Sequence, residues 1–197
     1  MMRRHYPSSP TAGFTLLEGL IVVAIIGILM AIVAPGWLTF ANRQRVNRAS
    51  DQILQALRTA QADAKRVKQD RTVFLYPDPA QDPIPNPDSP PSIGYNSIPT
   101  ELGEGAFKEG MIALSAVDAD GASLAEVDGD NNLSIQLVFD PTGGLDVNES
   151  PNLPVTITVE APPGSDTKRC VVIETLLAAT RTARGDECDL QGAQPQD

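Results

Sequence analysis

Histidine and cysteine are scarce in this 197-residue sequence, which contains one histidine, His5, and two cysteines, Cys170 and Cys188. Histidine is the usual general base beside a nucleophile and the commonest metal ligand among side chains. One histidine and two cysteines are also too few for the four Cys and His ligands of a typical structural zinc site. The composition therefore argues against an enzyme and against a metal centre, and we expect no catalytic residues in this chain.

Charge is absent from a long run near the N-terminus, because residues 19–38 contain no charged side chain and only Trp37 carries a hydrogen-bonding group. As a helix this run would reach about 30 Å, the thickness of the hydrocarbon core of a bilayer. A cleaved secretory signal is disfavoured, because its apolar core is only about 7–15 residues long. A plain membrane anchor leaves Glu18 unexplained, because a carboxylate in a membrane span costs about 2.5–3.5 kcal/mol.

The sequence GFTLLE, from Gly13 to Glu18, resembles the class III leader junction of type IV pilins and type II secretion pseudopilins. The resemblance implies that a prepilin peptidase cuts between Gly13 and Phe14 and methylates the new amine of Phe14. It also implies that Glu18 pairs with the amine of a neighbouring subunit, since a carboxylate in an apolar bundle needs a partner charge. Alternatively, Glu18 reaches the membrane interface from the end of the helix. Pro35 falls where many pilins carry a helix-loosening proline, which predicts a kink.

The resemblance divides the chain into a leader peptide (1–13), a transmembrane and assembly helix (14–38) and an exported head (39–197). Basic residues Arg3 and Arg4 precede the apolar run and indicate a cytoplasmic N-terminus. We expect a protein that crosses the inner membrane once, with its head in the periplasm, and that later enters a pilus or pseudopilus. Its expected partners are other pilin or pseudopilin subunits, the prepilin peptidase, the inner-membrane assembly platform and the membrane.

An apolar stripe at helical spacing follows the uncharged run. It consists of Val46, Ala49, Ile53, Leu57, Ala60, Ala64 and Val67. No glycine or proline interrupts the chain between Gly36 and Pro77, so we predict one helix from Phe14 to about Gln69. Its amphipathic second half, residues 39–70, is expected to pack on a sheet, with a free coiled coil as the alternative.

Strand patterns occupy much of the rest of the chain. They are found at 72–76, 111–117, 133–139, 155–159 and 170–174. Eight prolines between Pro77 and Pro99 predict an exposed irregular loop between the first two patterns. The predicted fold class is therefore α+β, with a long N-terminal helix packed on an antiparallel β-sheet head at 72–197. The resemblance to pilins implies that this arrangement is the pilin fold.

The segment SIQLVFDPTGGL contains Phe139, Pro141 and Gly143 in the spacing Phe-x-Pro-x-Gly. With the preceding LRTAQADAKRVKQDRTVFLY, it is similar to the GspH/FimT-type minor pseudopilins. Members of the FimT branch bind DNA through a C-terminal Gly-Arg-x-Arg tract, and Arg181 and Arg184 are the nearest counterparts here, without that start and spacing. A DNA-binding minor pilin for natural transformation is therefore the alternative function.

The charges divide along the chain. Residues 40–71 hold eight basic and three acidic side chains, a net charge of +5, whereas residues 72–197 hold five basic and twenty-one acidic ones, a net charge of −16. This division suits subunits that place the acidic head of one beside the basic helix of another, with solvated faces as the alternative. The acidic head opposes binding of a polyanion such as DNA.

Cys170 and Cys188 lie in the part expected to be exported, where an even pair of cysteines indicates a disulfide rather than two free thiols. Two acidic segments, 118–121 and 128–132, have the oxygen-rich composition of calcium loops but lack the twelve-residue spacing of an EF-hand. We therefore expect no cofactor, with calcium at these loops as the alternative to solvated acidic turns.

Overall fold

The computed structural model describes residues 13–77, 91–95, 98–103, 106–108, 110–127, 133–146 and 152–189. The predicted α+β class is confirmed, because one long helix precedes antiparallel β-sheets. Two compact units make up the chain, here named the N-terminal unit (Met1–Thr39) and the head (Phe40–Asp197). The expected leader before Gly13, residues 78–90 of the proline-rich segment and the second acidic loop, 128–132, lie outside the described residues.

Helix α1 extends from Leu16 to Val67. In the N-terminal unit, each large hydrophobic side chain described between Phe14 and Leu38 is at least 44% exposed. Among the described residues, no single helix is long and apolar enough to cross a membrane. Two helical segments taken together, Leu16–Ile32 and Gly36–Val67, could do so, judged by length and composition alone.

The kink expected at Pro35 stays a prediction, because the side chains of residues 33–35 lie outside the described part of the helix. An apolar surface of the size found in the N-terminal unit is unfavourable in water. The N-terminal part of α1 therefore requires a cover of lipid or of other protein chains.

The described residues of the head form nine strands. They are β1 (Arg71–Tyr76), β2 (Ser92–Tyr95), β3 (Ile98–Glu101), β4 (Ala113–Val117), β5 (Ala125–Val127), β6 (Leu133–Phe139), β7 (Val155–Glu160), β8 (Lys168–Ile173) and β9 (Thr180–Arg184). They pair antiparallel in two sheets, with the orders β3-β2-β1-β6-β5 and β4-β7-β8-β9. The sequence predicted an antiparallel head, but not its division into two sheets.

The head part of α1 packs its apolar stripe against both sheets. Six members of the stripe are at most 2% exposed: Val46, Ala49, Ile53, Leu57, Ala60 and Ala64. They share one hydrophobic core with residues of β1, β6, β7 and β8, which confirms docking on sheet structure rather than a free coiled coil. The prediction was wrong for Val67, which is 37% exposed, because α1 ends there and the chain turns at Lys68 with a φ of 58°.

Four strands lie outside the predicted strand patterns: β2, β3, β5 and β9. The expectation of an exposed irregular loop up to Pro99 was wrong for β2, which pairs with β1 and buries Ile93 at 8% exposed. β3 contains Pro99 but lies at the edge of its sheet, where the missing N–H of proline removes no ladder hydrogen bond. β9 lies at the edge of the other sheet and has the sequence TRTAR, which lacks the apolar alternation of a half-buried strand. Pairing with a neighbouring strand, rather than local composition, therefore determines both edges.

A tight turn follows β6 and is held by the side chain of Asp140. Its Oδ1 accepts hydrogen bonds from the Thr142 hydroxyl (2.6 Å) and from the backbone N–H groups of Thr142 (2.8 Å) and Gly144 (2.9 Å). These bonds, led by that of the Thr142 hydroxyl, hold the pKa of Asp140 below its ordinary value of 3.8. The ionised carboxylate therefore stabilises the turn.

The same turn contacts helix α1 and the loop between β8 and β9. Gln61 Nε2 donates hydrogen bonds to the carbonyl oxygens of Gly143 (2.8 Å) and Leu177 (3.0 Å). Gly143 has a φ of 81°, and a Cβ at this position would lie 2.1 Å from the Cε of Lys65. The Phe-x-Pro-x-Gly segment thus needs its glycine for the backbone conformation, because Lys65 could move its flexible side chain away from a Cβ.

We expect Leu57→Ala to lower the free energy of unfolding by about 2–5 kcal/mol, because Leu57 is 1% exposed and its loss leaves a cavity in the shared core. Urea unfolding of the full chain in detergent, followed by circular dichroism, measures this change. Gln55→Ala, on the exposed side of the same helix, is the control and should change the value by less than about 0.5 kcal/mol. Equal effects of the two substitutions would contradict the packing of α1 described above.

We expect Asp140→Asn to lower stability at neutral pH by about 1 kcal/mol, after allowance for solvent screening of a partly exposed group. Because the folded-state pKa is lowered, the contribution of the carboxylate is present above 3.8 and is lost as the pH falls through the folded pKa. The stability difference between wild type and variant should therefore shrink below pH 3.8.

Urea unfolding at a series of pH values checks this prediction. Glu126→Gln removes the same charge from an exposed position on β5 and serves as the control. A difference between wild type and Asp140→Asn that stayed constant across the acidic range would show that the charge of Asp140 is not the stabilising feature.

Candidate functional site

The junction between Gly13 and Phe14 lies immediately before the helix and is exposed. Phe14 is 82% exposed, and a Cβ built on Gly13 would meet no atom within 4 Å. Neither residue belongs to helix α1, which begins at Leu16. The backbone between them is therefore open to an enzyme that needs an extended segment.

Thr15 caps the N-terminus of helix α1. Its Oγ1 accepts a hydrogen bond from the backbone N–H of Glu18 (3.2 Å), and its carbonyl accepts one from the N–H of Gly19 (3.1 Å). Thr15 and Glu18 stand in the Thr-x-x-Glu spacing of a capping box, which satisfies backbone N–H groups left free at a helix start. Sequence reasoning missed the role of Thr15, although this spacing was the signal for it.

Glu18 lies in the first turn of α1, where the helix dipole favours a negative charge by about 0.3–1 kcal/mol. Among the described residues, its carboxylate has no ion-pair partner. The residues that follow it are apolar as far as Leu38. The site therefore presents one carboxylate at the start of an apolar helix, where a cation from outside this chain can pair with it.

The two arginines predicted to contact DNA do not form one surface. Both belong to β9, but Arg181 lies opposite Val172 and Arg184 lies opposite Arg169, so they face opposite sides of the sheet. Arg181 forms an ion pair with Glu174, whereas Arg184 lines a cavity beside α1. DNA binding by Arg181 and Arg184 stays a prediction. Their placement on opposite faces of the sheet does not support a shared DNA-binding surface.

The first acidic segment, 118–121, is closed by its own hydrogen bonds. Asp118 Oδ1 accepts from the backbone N–H groups of Asp120 (3.0 Å) and Ala122 (2.9 Å), and Asn152 Nδ2 donates to Asp120 Oδ2 (2.7 Å). Within the described residues, no group of three or more His, Cys, Asp or Glu side chains could hold a metal ion. The second acidic segment, 128–132, lies outside them.

The predicted disulfide between Cys170 and Cys188 is confirmed. The bond joins β8 to the short 3₁₀ turn after β9, with the two Cα atoms 5.7 Å apart. The two cysteines pack with Val172 and Ala183 in a small cluster separate from the main core. The bond therefore encloses the edge strand β9, and closing a loop of this length contributes about 3 kcal/mol to stability.

Comparison with known proteins identifies one motif and two relatives. The model of the prokaryotic N-terminal methylation motif matches residues 9–34, which include Gly13, Phe14 and Glu18. Two fimbrial proteins of Pseudomonas aeruginosa are each 50% identical to this chain over 52 residues, which make up 26% of this chain and 33% of each relative. The chain thus spans about a third of the length of these relatives. No solved structure matches it.

Proposed function

We propose that this chain is a minor pilin or pseudopilin subunit that is processed at its N-terminus and incorporated into a type IV pilus or a type II secretion pseudopilus. One observation carries the proposal: the methylation motif at residues 9–34 coincides with an exposed Gly13–Phe14 junction and a capped apolar helix. The similarity to fimbrial proteins over 52 residues supports the same class of protein.

Processing is the first step of the proposed function. A prepilin peptidase cuts the peptide bond between Gly13 and Phe14 on the cytoplasmic face and methylates the new amine of Phe14. The chain is thus a substrate of an enzyme and does no covalent chemistry itself. The exposure of the junction, outside helix α1, supports this step.

Pairing of opposite charges is the second step. The carboxylate of Glu18 pairs with the Phe14 amine of a neighbouring subunit when the helices enter the filament. A carboxylate surrounded by apolar helices is unfavourable unless a positive charge lies beside it. The same pairing positions the new helix along its neighbour, because only one placement brings the two charges together.

Burial of the apolar helix is the third step. The exposed side chains between Phe14 and Leu38 lie first in the inner membrane and then among the helices of other subunits. The basic segment 40–71 and the acidic segment 72–197 give neighbouring subunits surfaces of opposite charge. The assembly platform of the inner membrane is the expected partner in this transfer, and the head lies in the periplasm before it.

Placement in the GspH/FimT branch is part of the proposal. The turn after β6 supports it, because Gly143 contacts α1 and its carbonyl accepts the hydrogen bond of Gln61. The motif thus joins the sheets to the helix at a turn whose positive φ favours glycine. Recovery of the chain in the sheared surface fraction would assign it to the pilus, and its absence from that fraction would favour the pseudopilus.

We expect the mature chain to begin at Phe14 and to carry one added methyl group on its amine. Intact-mass spectrometry of the chain, co-expressed with a prepilin peptidase, measures both changes. Gly13→Val should abolish cleavage, because a branched side chain then occupies the position before the scissile bond. Gly27→Val is the matched control, since a Cβ at Gly27 also meets no atom within 4 Å and the site lies inside the helix. Cleavage at any other bond would contradict the proposed junction.

We expect Glu18→Gln to reduce the amount of the chain in the sheared filament fraction at least about tenfold. The substitution removes the carboxylate and leaves the Phe14 ammonium of the neighbouring subunit buried without a partner, which costs about 3–5 kcal/mol. Glutamine serves in a capping box as glutamate does, so the start of the helix is retained. Immunoblots of sheared and membrane fractions measure the distribution. Glu126→Gln, the same chemical change on the head, should leave it unaltered. If Glu18→Gln were found in the sheared fraction at the wild-type amount, the proposed charge pairing would be wrong and Glu18 would serve only at the start of the helix.

A further inference from the structure

A cavity of about 350 Å³ opens in the head between α1, the start of β8 and the end of β9. Four basic side chains line it, Arg43, Lys168, Arg169 and Arg184, beside the single carboxylate of Asp166. The chain as a whole has a net charge of −10. Basic side chains thus outnumber acidic ones in the lining, and two of them, Arg43 and Arg184, have no ion pair among the described residues, so the cavity is suited to an anion.

Two of these arginines stand directly opposite each other across β8 and β9. Arg169 and Arg184 are partners in the antiparallel register, which places both side chains on the same face of the sheet. Like charges at directly opposite positions destabilise a sheet. Asp51 lies beside Arg169, and an anion between the two guanidinium groups would further reduce this repulsion.

Arg169 has only part of its hydrogen-bonding capacity filled. Its Nη1 donates to Asn47 Oδ1 (3.1 Å) and lies 3.4 Å from Asp51 Oδ1 on α1. Its Nε is buried and has no hydrogen-bond partner among the described residues. The buried Nε is enclosed by protein and does not face the cavity, so Arg169 would contact a ligand through its terminal guanidinium nitrogens.

The remaining cations differ in availability. Lys168 is paired with Asp189, which raises the pKa of this lysine above its ordinary value of 10.5. Among the residues that the structure describes, neither Arg43 nor Arg184 has an ion pair or a side-chain hydrogen bond, and both are exposed. Two guanidinium groups from separate elements are therefore free to converge on a ligand.

We propose that this cavity binds a single oxyanion group, a phosphate or a carboxylate, held by Arg43, Arg169 and Arg184. Guanidinium groups present paired N–H donors that match the oxygens of both groups. The site takes one anionic group rather than a polymer, because Arg181, the other arginine of β9, faces the opposite side of the sheet. The inference does not depend on processing or assembly of the chain.

Calorimetric titration of the full chain in detergent, with inorganic phosphate or with succinate at constant ionic strength, tests the proposal and separates the two oxyanions. Arg43→Ala and Arg184→Ala should each weaken binding about tenfold, the effect of losing one charge-assisted contact. Arg58→Ala and Arg181→Ala remove the same charge from exposed positions that do not line the cavity and should change affinity less than about twofold.

A stability measurement gives a second and independent readout. Phosphate should raise the Tm of the wild-type chain, because a ligand that binds only the folded state stabilises it. Arg184→Glu places a carboxylate opposite Arg169, so it should raise the Tm without phosphate above that of Arg184→Ala and abolish the response to phosphate. Absence of heat with both anions, or equal losses in all four alanine variants, would overturn the proposal.

Discussion

An apolar helix without a cover of its own is the constraint on which the organisation of this chain depends. The head buries its core internally, with the stripe from Val46 to Ala64 enclosed by two sheets. Among its described residues the N-terminal unit has no buried hydrophobic core, and Leu16 is 88% exposed. Its hydrophobic surface must therefore be covered by lipid or by other chains. A chain whose head has its own hydrophobic core, and whose N-terminal helix needs other molecules to cover it, is suited to polymerisation.

The start of the helix combines a structural and a proposed assembly function in few residues. The Thr15 hydroxyl accepts a hydrogen bond from the backbone N–H of Glu18, and among the described residues the Glu18 carboxylate has no ion-pair partner, so a cation from another chain can pair with it. The dipole of α1 favours that negative charge at the helix start. A cut after Gly13 would create the required ammonium at Phe14. One processing event would therefore both remove the leader and supply the charge that Glu18 needs.

Features determined by contiguous residues could be predicted, and features determined by tertiary pairing could not. The helical stripe around Ile53 and the alternation of β6 are local patterns, and both are found in the structure. The junction at Gly13 was also visible because its motif is contiguous. By contrast, β9 is a strand because β8 offers it a partner. The cation-lined cavity brings Arg43 together with Arg184, which are far apart in sequence and share no motif.

The central claim is that the exposed helix is buried among the helices of other filament subunits. Photo-crosslinking from Ile25, which is 52% exposed, tests it most directly in cells that make filaments. A photoreactive residue at this position should yield covalent adducts with another pilin or pseudopilin subunit in the sheared fraction, identified by mass spectrometry. A chain that remains in the membrane and yields no adduct with such a subunit would contradict the account and indicate a membrane anchor that never assembles.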